Sequence, residues 1–250
     1  MTSILIPPAN YSIRRSLCFL AGALLVMSMV AAAAPKRQQE IPPAQAPPFG
    51  LPFSEPPGPG TWLLVQPYGN TIGAYYNRRV FYGAGQGLHF GVDLSARCGT
   101  PIIALGDGVV AKVDAAEHGS APHNLMIDHP NGFASFYGHL LERPGLQPGE
   151  TVARGQVIAL VGDPDETCTS RPHLHLEIRN AGLYNRAYNP IPLINADWDA
   201  LALAGAVQRG FARDLSAPNQ WQQLADQPDV VFGGALLNDY ANPWPPAWSR

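Results

Sequence analysis

Residues 173–179 read His-Leu-His-Leu-Glu-Ile-Arg. Strict alternation of polar and apolar positions specifies a β-strand. Successive strand side chains point to opposite faces, so Leu174, Leu176 and Ile178 make a core face. His173, His175 and Glu177 share the other face, the two histidines roughly 6–7 Å apart at Cα. The strand therefore offers two imidazoles and a carboxylate over a hydrophobic backing.

The surrounding chain repeats that style of element. Residues 101–105 (PIIAL) end at Gly106-Asp107-Gly108, and 109–113 (VVAKV) follow directly. Residues 124–129 (NLMIDH) end at Pro130-Asn131-Gly132, a hairpin signal. Residues 133–140 (FASFYGHL) alternate next, placing Phe133, Ser135, Tyr137 and His139 on one face. Gly155-Gln156 precedes 157–161 (VIALV). Short strands with turns every eight to twelve residues read as a mainly β, antiparallel domain over 61–195.

Composition agrees. Of 250 residues, 25 are glycine and 26 proline, with 46% hydrophobic and 14% charged. So many breakers exclude a coiled coil or helical bundle, and the apolar content is too high for simple disorder. A net charge of −3 leaves no footprint for nucleic acid.

The two ends differ from the middle. Arg14 and Arg15 precede an uncharged apolar run over 17–34 that finishes in four alanines. This reads as a secretory signal, or as a retained N-terminal membrane anchor, with the remainder exported. Residues 35–60 hold nine prolines, the pattern of an extended linker. Residues 196–250 form a C-terminal extension, with near-helical spacing over 197–213 and then an irregular tail rich in tryptophan and proline. The tail is expected to pack on the β domain. Cys98 and Cys168 remain after the signal; an even pair in an oxidising compartment points to a disulfide, the alternative being two buried thiols.

The seven histidines (89, 118, 123, 129, 139, 173 and 175) carry the chemistry. His89 and Asp93 would lie about 13 Å apart on a straight strand, but a bend at Gly91 brings them to one centre. With one histidine of the 173/175 pair they would supply the three N/O ligands usual at a catalytic zinc. There is no H-E-x-x-H, so no glutamate base of that type.

The set His89-x-x-x-Asp93, Tyr137-Gly138-His139-Leu140 and Pro172-His173-Leu174-His175-Leu176-Glu177 resembles the lysostaphin-like (LytM-type) zinc metalloendopeptidases. The likeness spans about residues 80–180. It implies one Zn2+ per chain bound by His89, Asp93 and His175, with His139 and His173 as catalytic histidines. It also implies an antiparallel sheet with a groove for a peptidoglycan peptide. Asn124 matches a recurrent, backbone-organising family position. Glu177 is expected to orient a ligand histidine, the alternative being a solvated carboxylate, and Tyr137 accompanies it near the site. His118 and His123 are expected in a surface loop and His129 before a turn, all three outside catalysis.

The leading function is an exported zinc endopeptidase acting on cell-wall peptidoglycan as a monomer. A degenerate relative that binds wall or activates an amidase is the alternative. A structural β module with incidental histidines is a third reading, but it has no need of His89, Asp93 and His175 together.

Overall fold

A computed structural model describes residues 46–205 and 223–239, and the backbone of Ala212–Arg213 and Trp221–Gln222. The apolar run at 17–34 and the linker up to residue 45 lie outside these residues, as do the side chain of Trp221 and the tryptophans at 244 and 248.

One antiparallel sheet organises the domain. In spatial order it runs β1 (Trp62–Gln66), β2 (Val92–Ala96), β9 (His173–Asn180), β6 (Phe133–Leu140), β5 (His123–Asp128), β4 (Gly108–Val113) and β7 (Thr151–Val152). β10 (Arg186–Tyr188) also pairs with β9, and β13 (Val230–Val231) pairs with β10. Pro101–Ile103 (β3) and Val157–Leu160 (β8) form a separate two-stranded sheet, and Ala212–Arg213 (β11) pairs with Trp221–Gln222 (β12). The helices α1 (Ile72–Tyr76) and α2 (Trp198–Ala204) are short. No helix among the described residues is long and apolar enough to cross a membrane.

The alternation in β9 sorts its faces as expected. Leu174, Leu176 and Ile178 are fully buried in the main core with Val92, Leu94, Leu105 and Tyr137. Met126, Ala134 and Phe136 form a smaller apolar cluster of their own. The cross-strand partners Phe136 and Glu177 lie in register on β6 and β9.

One expectation needs revision. The proline-rich stretch is not a spacer throughout: Phe49 is 1% exposed and its ring packs on His129 and Phe133. Backbone hydrogen bonds join Phe49 to Leu193 and Asn195, and Pro52 to Ile103. Prolines limited sheet pairing here, but the aromatic residues between them still found the core. Of the near-helical spacing over 197–213, the described residues hold α2, and 206–211 lie outside them. α2 stops at Gly205, where a Cβ would meet the Leu64 carbonyl oxygen at 2.1 Å. That close approach requires glycine.

The Cys98–Cys168 disulfide is formed, with Cα atoms 5.8 Å apart. It fastens the turn after β2 to the loop that leads into β9.

Candidate functional site

Pairing of β2 with β9 sets Asp93 directly opposite His175. His89 arrives by a different route. It makes a lone antiparallel bridge with Gly69, and the chain bends at Gly91 before β2 begins. Three donor atoms then converge. His175 Nδ1 lies 2.7 Å from Asp93 Oδ1, His89 Nε2 lies 3.2 Å from the same oxygen, and the two nitrogens are 3.3 Å apart. A tetrahedral zinc with ligands at about 2.0–2.1 Å spaces its donors roughly 3.3–3.4 Å apart. Two of the three separations match that spacing and the third is shorter, and two imidazole nitrogens with one carboxylate oxygen are a donor set that fits zinc.

The outer atoms of these ligands are also held. His89 Nδ1 sits 2.8 Å from the Pro67 carbonyl, which leaves Nε2 as the lone-pair donor. His175 Nε2 lies 3.3 Å from Glu177 Oε1. Glu177 is fully buried, so it is no solvated carboxylate. Arg179 donates to both of its oxygens, from Nε at 2.7 Å and Nη2 at 2.8 Å.

Burial opposes charge on Asp93, but His89 and His175 hold its carboxyl well below the usual carboxylate range. Burial also opposes a charged His175; hydrogen bonds from its ring to Asp93 and Glu177 outweigh that and raise it to about 9. A metal held by His175 would have to displace this proton, which would make its binding pH-dependent.

His139 and His173 complete the group. Their rings are 4.8 Å apart, and His139 is 6.0 Å from His175. His173 Nδ1 lies 2.7 Å from the Arg171 carbonyl, and its Nε2 is 3.8 Å from Asp93 Oδ1. His139 Nδ1 engages the Ala121 carbonyl. Burial first, then His175, pushes His139 down to about 4, which favours the neutral ring.

His139 reaches the site by breaking the alternation of β6, with φ of 57°. Tyr137 therefore does not accompany it. The Tyr137 hydroxyl is buried on the core side, accepting from the Leu105 N–H at 3.1 Å and the Ser135 hydroxyl at 3.1 Å. The expectation of Tyr137 beside the site fails because period-two reasoning cannot see a left-handed residue.

The other histidines stand apart. His129 is buried, Nε2 2.8 Å from Ser135 Oγ, in the Tyr137 network. His123 pairs with Asp114, which also receives Arg143. His118 touches Arg179. Asn124 organises backbone: it bonds both the N–H and the carbonyl of Ala115 and the carbonyl of Gly119.

Two contributors were not singled out from the sequence. Arg179 continues the His173–His175–Glu177 face, so the same alternation could have found it. Asp163, 1% exposed, accepts from the Ser170 and Arg171 N–H groups and orders the loop before His173. Nothing in its local pattern signals that.

A histidine-and-carboxylate donor set on an antiparallel sheet, with two more histidines alongside, is a metallopeptidase arrangement. Residues 87–190 match the profile of Peptidase family M23. The chain is 40% identical over 103 residues to an uncharacterized metalloprotease of Haemophilus influenzae, covering 41% of this chain and 20% of that protein. It is 37% identical over 105 residues to the DD-carboxypeptidase/endopeptidase Mpg of Neisseria meningitidis, covering 42% and 22%. Among solved structures, a zinc containing peptidase from Vibrio cholerae is 28% identical, covering 54% of this chain and 37% of that one, with a TM-score of 0.40. The chain thus spans about a fifth of the length of these curated relatives.

Proposed function

We propose that this chain is an exported zinc endopeptidase that hydrolyses peptide bonds in bacterial cell-wall peptidoglycan, in a cross-bridge or a stem peptide. The observation that carries the reading is the convergence of His89 Nε2, Asp93 Oδ1 and His175 Nδ1 within 3.3 Å, beside His139 and His173. Likeness to a Vibrio cholerae protein named Peptidoglycan DD-endopeptidase ShyA, 37% identical over 90 residues, supports the substrate class. The Arg14-Arg15 and apolar segment, together with the Cys98–Cys168 disulfide, supports export.

His89, Asp93 and His175 would hold the ion, which when bound polarises a carbonyl and acidifies water. The chain's own residues then divide the work. Glu177 fixes His175 from behind, leaving Nδ1 for the metal. His139 and His173 each commit Nδ1 to a backbone carbonyl, so their Nε2 atoms are left to accept or deliver a proton. One of them takes a proton from water; the other holds the developing oxyanion or protonates the leaving amine.

Metal analysis of purified protein, followed by digestion of purified peptidoglycan and mass spectrometry of the products, tests this. One zinc per chain and new amino termini are expected. Absence of any divalent ion ends the reading. Zinc without new termini makes the chain a silent wall-binding or amidase-activating module.

A further inference from the structure

Arg179 is 2% exposed, and a buried guanidinium must satisfy both its N–H edge and its two faces. Its edge is spent on Glu177 and on the His118 ring and carbonyl, the latter two at 3.2 Å. Its faces are covered by two phenylalanine rings, Phe136 at 4.5 Å and Phe232 at 4.6 Å. Phe136 belongs to β6. Phe232 comes from the C-terminal extension, beyond the 87–190 family match.

This places Phe232 behind both halves of the site. Through Arg179 it backs Glu177, and hence the Nε2 of His175. Arg179 also grips His118, at the start of the loop whose Ser120 and Ala121 carbonyls hold His139. Phe232 packs as well on Phe90, ring centroids 5.2 Å apart, and Phe90 packs on His175 at 5.7 Å. The extension is anchored around this contact. Val231 N–H donates to the Gln86 side chain, Asn238 donates to the Gly87 carbonyl, and the Gln227 side chain accepts from Asn70 N–H. Two of these anchors immediately precede His89, and the third, Asn70, follows Gly69, which bridges to His89.

We infer that Phe232 is a positioning residue for the metal centre: it clamps Arg179 against Glu177, so residues outside the family domain set how tightly His175 and its partners hold zinc. The inference rests on the zinc-site reading above. A cation sandwiched by aromatic faces loses attraction when one face goes, and residues behind metal ligands typically govern about 10–100-fold in metal affinity.

The test measures zinc affinity of the full chain by chelator competition and the visible spectrum of cobalt-loaded protein. Phe232→Ala should weaken zinc binding about 10-fold and alter the cobalt bands. Phe232→Tyr, which keeps the face, should restore both. Phe232→Leu, a milder change in volume that still lacks the face, guards against an alanine variant that fails to fold and should behave like it. Asp239→Asn, which breaks a surface pair with Arg79 in the same extension, should leave zinc affinity unchanged. Equal affinity in wild type and Phe232→Leu, or equal losses in Phe232→Leu and Asp239→Asn, would overturn the inference. If wild type itself binds no zinc, the functional reading fails instead.

Discussion

Gly91 and His175 meet with no space for a methyl group between them: a Cβ on Gly91 would stand 2.7 Å from His175 Cε1 and 2.9 Å from its Nε2. The Leu176 carbonyl closes the other side at 2.7 Å. The backbone cannot yield there, so the imidazole must. Gly91→Ala should therefore turn the ring away from Asp93 and weaken zinc binding about 10-fold or more. Zinc stoichiometry under a competing chelator measures it, and an unaltered stoichiometry would show that the ring tolerates displacement.

Ligand and proton-handling residues should separate cleanly. His89→Ala and Asp93→Ala are expected to remove the zinc, and stripping the metal from wild type with a chelator should abolish turnover until zinc is restored. His139→Ala should retain one zinc per chain while losing about 10²–10⁴ in kcat. Metal content and peptidoglycan turnover, measured on the same preparations, check both halves.

The Cys98–Cys168 bridge spans a sequence separation of 70. Closing a loop of that length stabilises by roughly 4 kcal/mol in the chain-entropy model. Cys98→Ser with Cys168→Ser should lower the unfolding free energy by up to about that amount. It should also free the loop that positions His173, so activity should fall at temperatures where the variant is still folded. Denaturant titration beside an activity assay distinguishes the two effects.

His129 provides an acid-sensitive point in the core. Burial pushes its pKa below the ordinary value of 6.5. As pH falls through that value the unfolded chain takes up the proton first, so stability present above about pH 6.5 is lost on acidification. His129→Gln should flatten part of the fall in denaturation midpoint between about pH 7.5 and pH 5.5. An unchanged slope would assign the whole acid response to other groups.

Phe49 should behave as core despite its proline-rich context. Phe49→Ala is expected to cost about 3–5 kcal/mol, whereas Pro57→Ala, at an exposed position, should stay within about 0.5 kcal/mol. Thermal unfolding of the two variants decides whether the stretch around residue 49 is part of the domain.

The strands were legible where the hydrophobic period was clean. Residues 133–140 and 173–179 alternate, and they became β6 and β9 almost to the residue. The candidate donors were legible by type, and Gly91 supplied the bend that their spacing demanded. What period could not reveal was any departure from it. His139 turns on a positive φ and so leaves the face that the alternation gives it with Ser135 and Tyr137. Phe49 and Phe53 were masked by prolines that limit pairing but not burial. Arg179 stood in plain sight on the right face, yet its value depends on Phe232, 53 positions later, and no local pattern links them.

The donors at 89 and 175 are 86 residues apart in the chain, and they meet only because β2 and β9 are neighbours. Loop closure of that length must precede any reward from the contact, which makes this pairing a slow, non-local step. A chain emerging from the ribosome carries His89 and Asp93 long before it carries His175. Until the last of the central strands has been made and docked, no complete donor triangle exists. A metal held there would, in turn, reward the long-range closure, since whatever binds only the folded chain stabilises it by mass action. For the proposed zinc site this would act as a proofreading device: a truncated or mispaired chain has two of the three donors and no closed triangle.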